Sequence, residues 1–438
     1  MEWWLVLMFM FGGLFCLFAT GLPVFFSFLV INFLGLCILV GTKGGFLQLV
    51  LSFSNSVTSF TILPLPLFVL MGEVLWHSGA GARAIDVLDK MLGRLPGRLS
   101  IISVIAGVIF AAVSGSNMAN TALLGSVLAE PMAKRGYKKP MILGPIMGSG
   151  ALAMMIPPST LGVICAAIAM ISVGKLLIGI VLPGLILAFF YIIYIIVRCI
   201  LQPDLAPVYE ITKPSLSERV LDFLKYLAPL GVIIFLTVAL LFFGIATPSE
   251  SASVGCLASC VLGVIHGRFK WVKQSIISTL RVTVMALIII ASAAMFSQLL
   301  AYSGASRGML EVVKGFGLSP ILIIIVMQLI LVILGGPMEE VSLMMVSLPI
   351  YMPIVQSLGF DPIWFGVLVL LNVEVAIVSP PFGIVLFVMK GVAPKGTTMM
   401  DIYRSSLPFM GMQLLTMALV LAFPKIALWL PNMMVTAK

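Results

Sequence analysis

Apolar runs of about fifteen to twenty residues recur from one end of the chain to the other, at 6–20, 22–41, 176–197, 226–244, 282–300, 318–334 and 405–423. Each run reads as long enough to cross a hydrocarbon core of roughly 30 Å, and with shorter runs included the pattern predicts about ten to twelve crossing or re-entrant segments. Little period-two alternation accompanies this apolarity, so membrane-spanning strands are not expected. Helices then remain the structure that satisfies its own backbone inside lipid. The pattern predicts an all-α polytopic membrane protein.

One interruption stands out. The stretch AAVSGSNMANTALLG, residues 111–125, puts Ser, Asn and Thr between two apolar arms, 101–113 and 121–133. Thirteen helical residues reach about 20 Å, too short to span a bilayer. Arg83, Lys90, Arg94 and Arg98 precede the arms, and Lys134, Arg135, Lys138 and Lys139 follow them. Basic flanks on both sides place both ends in the cytoplasm. A segment that starts and ends on one side is a re-entrant hairpin, its polar tip buried in protein near the middle of the membrane. The alternatives are an ordinary helix pair with a polar periplasmic turn, or Ser and Asn acting as glue between helices.

The second half repeats this organisation. HSGAGAR at 77–83 is echoed by YSGASRG at 302–308, with Ser303 standing where Ser78 stands in the first. Gly115 of the first tip corresponds to Gly336 in LGGPMEEVS, and Pro157-Pro158 of MIPPST corresponds to Pro380-Pro381 of VSPPFG. The three pairs follow in the same order at a nearly constant offset, which chance does not readily produce. Residues 315–389 contain no Lys or Arg, yet they include Glu339, Glu340, Asp361 and Glu374. The second hairpin should therefore enter from the opposite side, which makes the repeats inverted, as in secondary transporters.

The expected organisation is repeat 1 over 1–200, with a hairpin at about 99–135 and a broken helix at about 140–172. A linker with a surface amphipathic helix spans 201–225. Repeat 2 covers 226–438, with a hairpin at about 317–358 and a broken helix at about 362–394. The cationic stretch 266–275 reads as interfacial.

Composition narrows the picture further. The chain of 438 residues is 61% hydrophobic and 9% charged, with a mean hydropathy of +1.22, far from the roughly 25% charge of soluble domains. The net charge of +9 does not point to nucleic acid, because the Lys and Arg sit in short loops between apolar runs. The start, MEWWLVLMFMF, lacks a basic leader and reads as a first membrane helix with Trp3 and Trp4 at the interface. Six cysteines lie in or beside apolar runs and read as packing residues, and two histidines give no basis for a zinc or haem site. No nucleophile–base pair, metal cluster or phosphate loop suggests an enzyme.

Each hairpin is followed by an interrupted helix. Gly148, Gly150 and Pro157-Pro158 break one, and Pro380-Pro381 after Ser379 breaks the other. Proline removes a backbone donor and releases local carbonyls. Those carbonyls, with hydroxyls and an Asn amide, make a set of hard oxygen ligands suited to Na⁺, while new helix N-termini suit an anionic solute. Between its basic flanks the first hairpin holds no Arg or Lys, nor does the second hairpin or either Pro-Pro segment, so an anion would depend on helix ends, amides, hydroxyls and co-bound cations. Glu339, a carboxylate in an apolar segment, is a functional candidate or a helix cap.

AAVSGSNMANTALLG, SGALAMMIPPST, LLNVEVAIVSPPFGIVLF and LPFMGMQLLTMALVLAFPKIALWLP together resemble the large membrane subunit of tripartite ATP-independent periplasmic (TRAP) transporters, over essentially the whole chain. The resemblance implies a Na⁺-driven importer of small organic anions in the bacterial inner membrane. It works as an elevator, with a transport domain of about 99–172 plus 317–394 and a scaffold from the rest. It also implies two partners, a small four-helix membrane subunit and a periplasmic substrate-binding protein. By position, Ser114, Gly115, Ser116 and Asn120 would help bind one Na⁺. Gly335, Gly336, Glu339, Ser379 and Pro380 would border another, and Ser149, Gly150, Pro158, Ser159, Thr160, Asn117 and Asn372 would bind the solute. The chain departs from the family pattern at Glu339-Glu340-Val341, where an acidic residue is usually followed by Pro, at Val375-Ala376 in place of Ile-Gly, and at Ser379 in place of Thr. Competing readings are a stand-alone dicarboxylate or citrate carrier and a cation/proton antiporter.

Overall fold

Glycine and proline decide where each apolar run stops being one helix. The computed structural model describes residues 2–91, 95–207, 215–265, 270–315, 317–336 and 338–435. Among these, every regular element is helical. Gly21, at φ 80°, and Pro23 part Trp3–Ala19 from Val24–Val40, and Gly41, at φ 89°, ends the second helix. At 17 residues each, these helices reach about 25 Å, short of a full hydrocarbon core. Among the described residues, six helices are long and apolar enough to cross unaided: Phe60–His77, Val173–Leu201, Ser217–Phe242, Pro248–Ile265, Val272–Tyr302 and Met399–Ala422. That is fewer than the runs alone suggest, because turns and prolines divide the remaining apolar sequence into shorter pieces.

The halves repeat one order of elements. Pro64–His77 turns at Gly79 into the short helix Ala80–Met91, and Lys270–Tyr302 turns at Gly304 into Ala305–Gly315. A glycine then opens each hairpin (Gly97, Gly317) and another follows it (Gly136, Gly359). These glycines all have positive φ and recur in the same order and at nearly the same spacing in both halves. This left-handed backbone is one that other residues rarely adopt, so the duplication extends to turn geometry.

The first hairpin runs down Arg98–Ser114 and returns through Asn117–Leu124, Gly125–Ala129 and Glu130–Lys134. The second runs through Pro320–Gly335 and Glu340–Ser357. Of its tip, Pro337 lies outside the described residues. The first broken helix comprises Lys139–Ala151, the turn Leu152–Met154 and, after Pro157-Pro158, Thr160–Ala169. The second comprises Pro362–Val378 and Ile384–Val392. Both Pro–Pro bonds are cis.

Packing interlocks the halves. The portion before each break lies on the hairpin of its own half, whereas the portion after it lies on the other half's hairpin. Thr160–Ala169 packs on Glu340–Ser357, and Ile384–Val392 packs on Asn117–Leu124. Ile363–Val378 is buried at every position, which explains why it is apolar all round. Met399–Ala422 crosses Lys139–Ala151, with the Phe409 ring seated directly over Gly144 and Gly148. Large apolar side chains on the outer helices, including Phe26, Phe33, Phe235 and Leu257, are exposed and form the surface that lipid would cover.

Ion pairs fasten the ends of these elements. Arg98, only 3% exposed at the base of the first arm, pairs with Asp89 at 3.1 Å, and Lys139 pairs with Asp401 at 2.8 Å. Lys90 pairs with Asp222 at 2.7 Å. Asp222 belongs to Leu216–Asp222, whose capping box joins Ser215 and Glu218. This helix runs on through Phe223–Leu227 into Ala228–Phe242, so the amphipathic segment expected before residue 226 forms the first turns of a spanning helix. Residues 208–214 of the linker, 266–269 of the cationic stretch and Arg94 lie outside the described residues.

Candidate functional site

The first tip is folded by its own hydroxyls. Ser114 Oγ donates to the Ser116 carbonyl and accepts from the Ser116 amide, both at 3.3 Å, and Ser116 Oγ caps the returning helix by accepting from the Ala119 amide. Gly115, at φ 58°, presses so closely on Thr160 that an added Cβ would lie 2.7 Å from its hydroxyl. The tip therefore rests against the N-terminus of the helix that follows the first Pro-Pro break.

Asn120 fastens hairpin to broken helix. Its fully buried amide nitrogen donates to the carbonyls of Gly107 and Ser149, each at 3.2 Å, and lies 3.4 Å from that of Gly150. Its Oδ1 has no hydrogen-bond partner among the described residues, and neither do Asn117 Oδ1 and Thr121 Oγ1, which are buried beside it in the same helix. Buried polar atoms are rarely left unpaired, and a ligand that accepts lone pairs is one kind of partner that would satisfy these oxygens. A small hard cation has that chemistry.

At the second tip, Glu339 is exposed and serves as a cap, its Oε2 accepting from the Ser342 amide and hydroxyl at 3.4 and 3.0 Å. Glu340 instead turns inward and is half-buried. Its Oε2 accepts from Asn117 Nδ2 at 3.0 Å, which joins the tips of opposite halves. The tip carboxylate drawn into the interior is thus Glu340, not the neighbouring residue favoured by the sequence. Gly335 abuts Ala376, where a Cβ on the glycine would lie 2.6 Å away, so this tip too rests beside the break of its own half. At that break the Ser379 carbonyl accepts from the Gly383 amide at 2.9 Å.

Two cavities flank the joined tips. One, of about 260 Å³, is lined by Ser114, Gly115, Ser116, Thr160, Glu339 and Glu340. It is closed on the far side by Glu73 and Trp76 of Pro64–His77 and by Val282, Met285 and Ile289 of Lys270–Tyr302. The other, of about 270 Å³, lies among Gly335, Gly336, Glu339, Glu340, Ala376 and Gly383. The first sits where the hairpin tips meet the surrounding helices and the second where they meet the second break, both between packed helices, a usual position for a small-molecule site.

Of the residues expected to touch solute, Thr160 lines the first cavity and Asn117 contacts its Glu340 wall. Ser149, Ser159 and Asn372 are fully buried in the frame behind the walls. Ser149 Oγ donates to the carbonyls of Pro145 and Ile146, Ser159 caps the Gly162 amide at 3.1 Å, and Asn372 Nδ2 donates to the backbone carbonyl and side-chain Oε1 of Gln328 at 2.8 and 2.9 Å. Gly150 and Pro158 lie in the same buried layer, while Ser379 and Pro380 are half-buried at the second break. Sequence reasoning did not single out Glu73, Trp76 or Thr121. The available signal was Glu73, an ionisable residue inside the apolar run LFVLMGEVLW. Glu374 is also fully buried, neighbouring Gln413 and Tyr191.

Known proteins share this sequence and shape. Residues 11–426 match the family described as the tripartite ATP-independent periplasmic transporter, DctM component. The chain is 32% identical over 380 residues to the C4-dicarboxylate TRAP transporter large permease protein DctM of Pseudomonas aeruginosa, covering 85% of this chain and 86% of that protein. It is 31% identical over 447 residues to the DctM of Rhodobacter capsulatus, covering 97% and 98%. The ectoine TRAP transporter large permease protein TeaC of Halomonas elongata is 26% identical over 95% of this chain and 97% of its own length. In fold, the chain resembles the YdaH transporter of Alcanivorax borkumensis, with a TM-score of 0.61 at 14% identity, covering 90% of each chain. It likewise resembles MtrF of Neisseria gonorrhoeae, with a TM-score of 0.61 at 16% identity, covering 89% of this chain and 84% of that one. A polytopic helical protein with paired hairpins, broken helices and this extent of family match belongs to the DctM component family of tripartite ATP-independent periplasmic transporters.

Proposed function

We propose that this permease imports a small organic acid across the bacterial inner membrane, coupled to Na⁺ and supplied by a periplasmic substrate-binding protein, with a small four-helix membrane subunit as its partner. The family is one of transporter permeases, not enzymes. The observation that carries the reading is the joined pair of tips. Asn117 and Glu340, from hairpins of opposite halves, meet over cavities walled by hydroxyls, helix N-termini and carboxylates.

Na⁺ fits the unpaired Asn120 Oδ1, with Ser114, Gly115 and Ser116 as neighbours at the first tip. Gly335, Gly336 and Glu339, which line the second cavity, would make the counterpart with Ser379 and Pro380 of the second break. When bound, the ion supplies the positive charge that draws tip and break together and helps hold an acid group. Thr160, at the N-terminus of a ten-residue helix, adds the dipole of that helix and a hydroxyl. The two hairpins and two broken helices interlock, which suits movement as one body of about 99–172 plus 317–394 against the remaining helices in an elevator cycle. Relatives named for C4-dicarboxylates, isethionate and ectoine support an organic acid as the solute class.

The test is uptake into proteoliposomes holding this chain with its small subunit. Accumulation that requires both the cognate binding protein and an inward Na⁺ gradient supports the proposal. Equal uptake with choline replacing Na⁺, or full activity without binding protein, would refute coupling or the tripartite arrangement respectively.

A further inference from the structure

The first cavity is lined by more carboxyl groups than an anion carrier needs. Glu73 projects from Pro64–His77, while Glu339 and Glu340 come from the second tip, and among the described residues no Lys or Arg lines the walls. His77 Nε2 lies 3.2 Å from Glu73 Oε2, but His77 is not part of the lining. Each tip carboxylate has its Oε2 engaged, Glu339 by Ser342 and Glu340 by Asn117, while neither Oε1 makes a hydrogen bond among the described residues. Trp76 lines the same wall as Glu73, three residues further along one helix face. An indole beside carboxylates is the combination that recognises an ammonium or amidinium group, through ring and charge together. The first tip offers the opposite chemistry, the hydroxyls of Ser114, Ser116 and Thr160 at a helix N-terminus.

From this mixed lining, hydroxyls together with three carboxylates and an indole, we infer that the solute is a zwitterion. Its acid group faces Ser114, Ser116 and Thr160, and its protonated amine or amidine faces Glu340, Glu73 and Trp76. The inference rests on reading this cavity as the solute site. A dianion of the same size would place its second carboxylate against Glu340 and Glu73, where like charges a few ångströms apart in a partly dry cavity repel strongly. The amide of Asn117 fixes Glu340 in place, so the carboxylate is held in the cavity in advance of the solute.

The experiment is a thermal-shift measurement on the purified permease with its small subunit, in Na⁺ buffer. One panel holds zwitterionic amino and amidino acids and the other holds size-matched dicarboxylates. Stabilisation by members of the zwitterion panel and not by the dicarboxylates is expected. Glu340→Gln should weaken the apparent affinity for the stabilising solute about tenfold and strengthen that for its dicarboxylate counterpart. A purely structural role for Glu340 would instead weaken both. Preference for dicarboxylates, stabilisation by neither panel, or equal loss for both classes in the variant overturns the inference. Glu73→Gln, on the facing helix, gives the same test of sign if the tip variant fails to fold. Failure of the function proposed above would be separate, since it would appear as uptake independent of Na⁺ or of the binding protein, whatever charge class binds.

Discussion

Replacing Asn120 with alanine should loosen the joint between the first hairpin and its broken helix, and the structure fixes the scale of the effect. One amide nitrogen has two protons and serves three carbonyls, Gly107 and Ser149 at 3.2 Å and Gly150 at 3.4 Å, so two full hydrogen bonds are the sensible count. Each is worth about 1 kcal/mol net, and a buried acceptor left dry costs about 1–3 kcal/mol. The three carbonyls belong to buried residues, and losing both bonds points to a total of about 2–4 kcal/mol. Reversible unfolding in mixed detergent–SDS micelles measures this directly. Asn120→Asp provides the control, because it keeps the volume and an acceptor while removing both donors, and it should lose at least as much. The reasoning would be refuted by an alanine variant within about 0.5 kcal/mol of the parent, a difference smaller than one hydrogen bond.

Other substitutions probe separate links. Arg98→Met leaves Asp89 without the cation it meets at 3.1 Å and removes a buried charge at the base of the hairpin; a loss of about 3 kcal/mol is expected in the same unfolding assay. Gly148→Leu drives a side chain into the buried Phe409 ring, whose Cγ lies 3.0 Å from where a Cβ would stand, and should cost about 1–3 kcal/mol. Adding Phe409→Ala should recover part of that loss, and strict additivity in the double variant would contradict the contact. Ser114→Ala and Ser379→Ala should each raise the Na⁺ concentration for half-maximal uptake about fivefold, equivalent to one lost hydroxyl ligand, while leaving the folded fraction unchanged. Na⁺ titrations identical to the parent in both variants would remove these residues from the ion sites.

What the sequence revealed and what it concealed follow from the range of the interactions. Hairpin arms and helix breaks were legible because arm length, flanking charge and Pro-Pro pairs are local facts, and the described helices fall at Arg98–Ser114, Pro320–Gly335 and on both sides of each proline pair. The capping role open to Glu339 was legible too, because a cap acts within one helical turn, as its bonds to Ser342 show. The role of Glu340 was not. Its partner lies in the other half of the chain, and nothing local distinguishes a carboxylate that turns inward from one that faces water. Ser149 shows the same limit from the other side. The family resemblance put it among the solute-binding positions, and in the structure its hydroxyl satisfies the carbonyls of Pro145 and Ile146 in its own helix, an arrangement common for serine within apolar helices.

The exchange of partners at the two breaks explains why the tips and not the arms hold the polar chemistry. Because Thr160–Ala169 leans on the second hairpin and Ile384–Val392 on the first, the helix after each break is covered by the other half's hairpin, while each tip rests beside the break of its own half. The arms are mainly apolar, and their few polar groups are paired within the frame, as Ser100 is with the Met141 carbonyl and Gln328 with Asn372. At the tips, polar side chains do the joining: Glu339 caps the Ser342 amide, Asn117 meets Glu340 across the halves, and Asn120 holds the carbonyls of Gly107 and Ser149 where lipid offers no partner. A change that weakens the Asn117–Glu340 contact therefore acts on both halves together. Asn117→Ala should increase exchange of the Gly115–Ser116 and Met338–Glu339 amides alike, and protection retained at one tip while the other opens would show that the halves act independently.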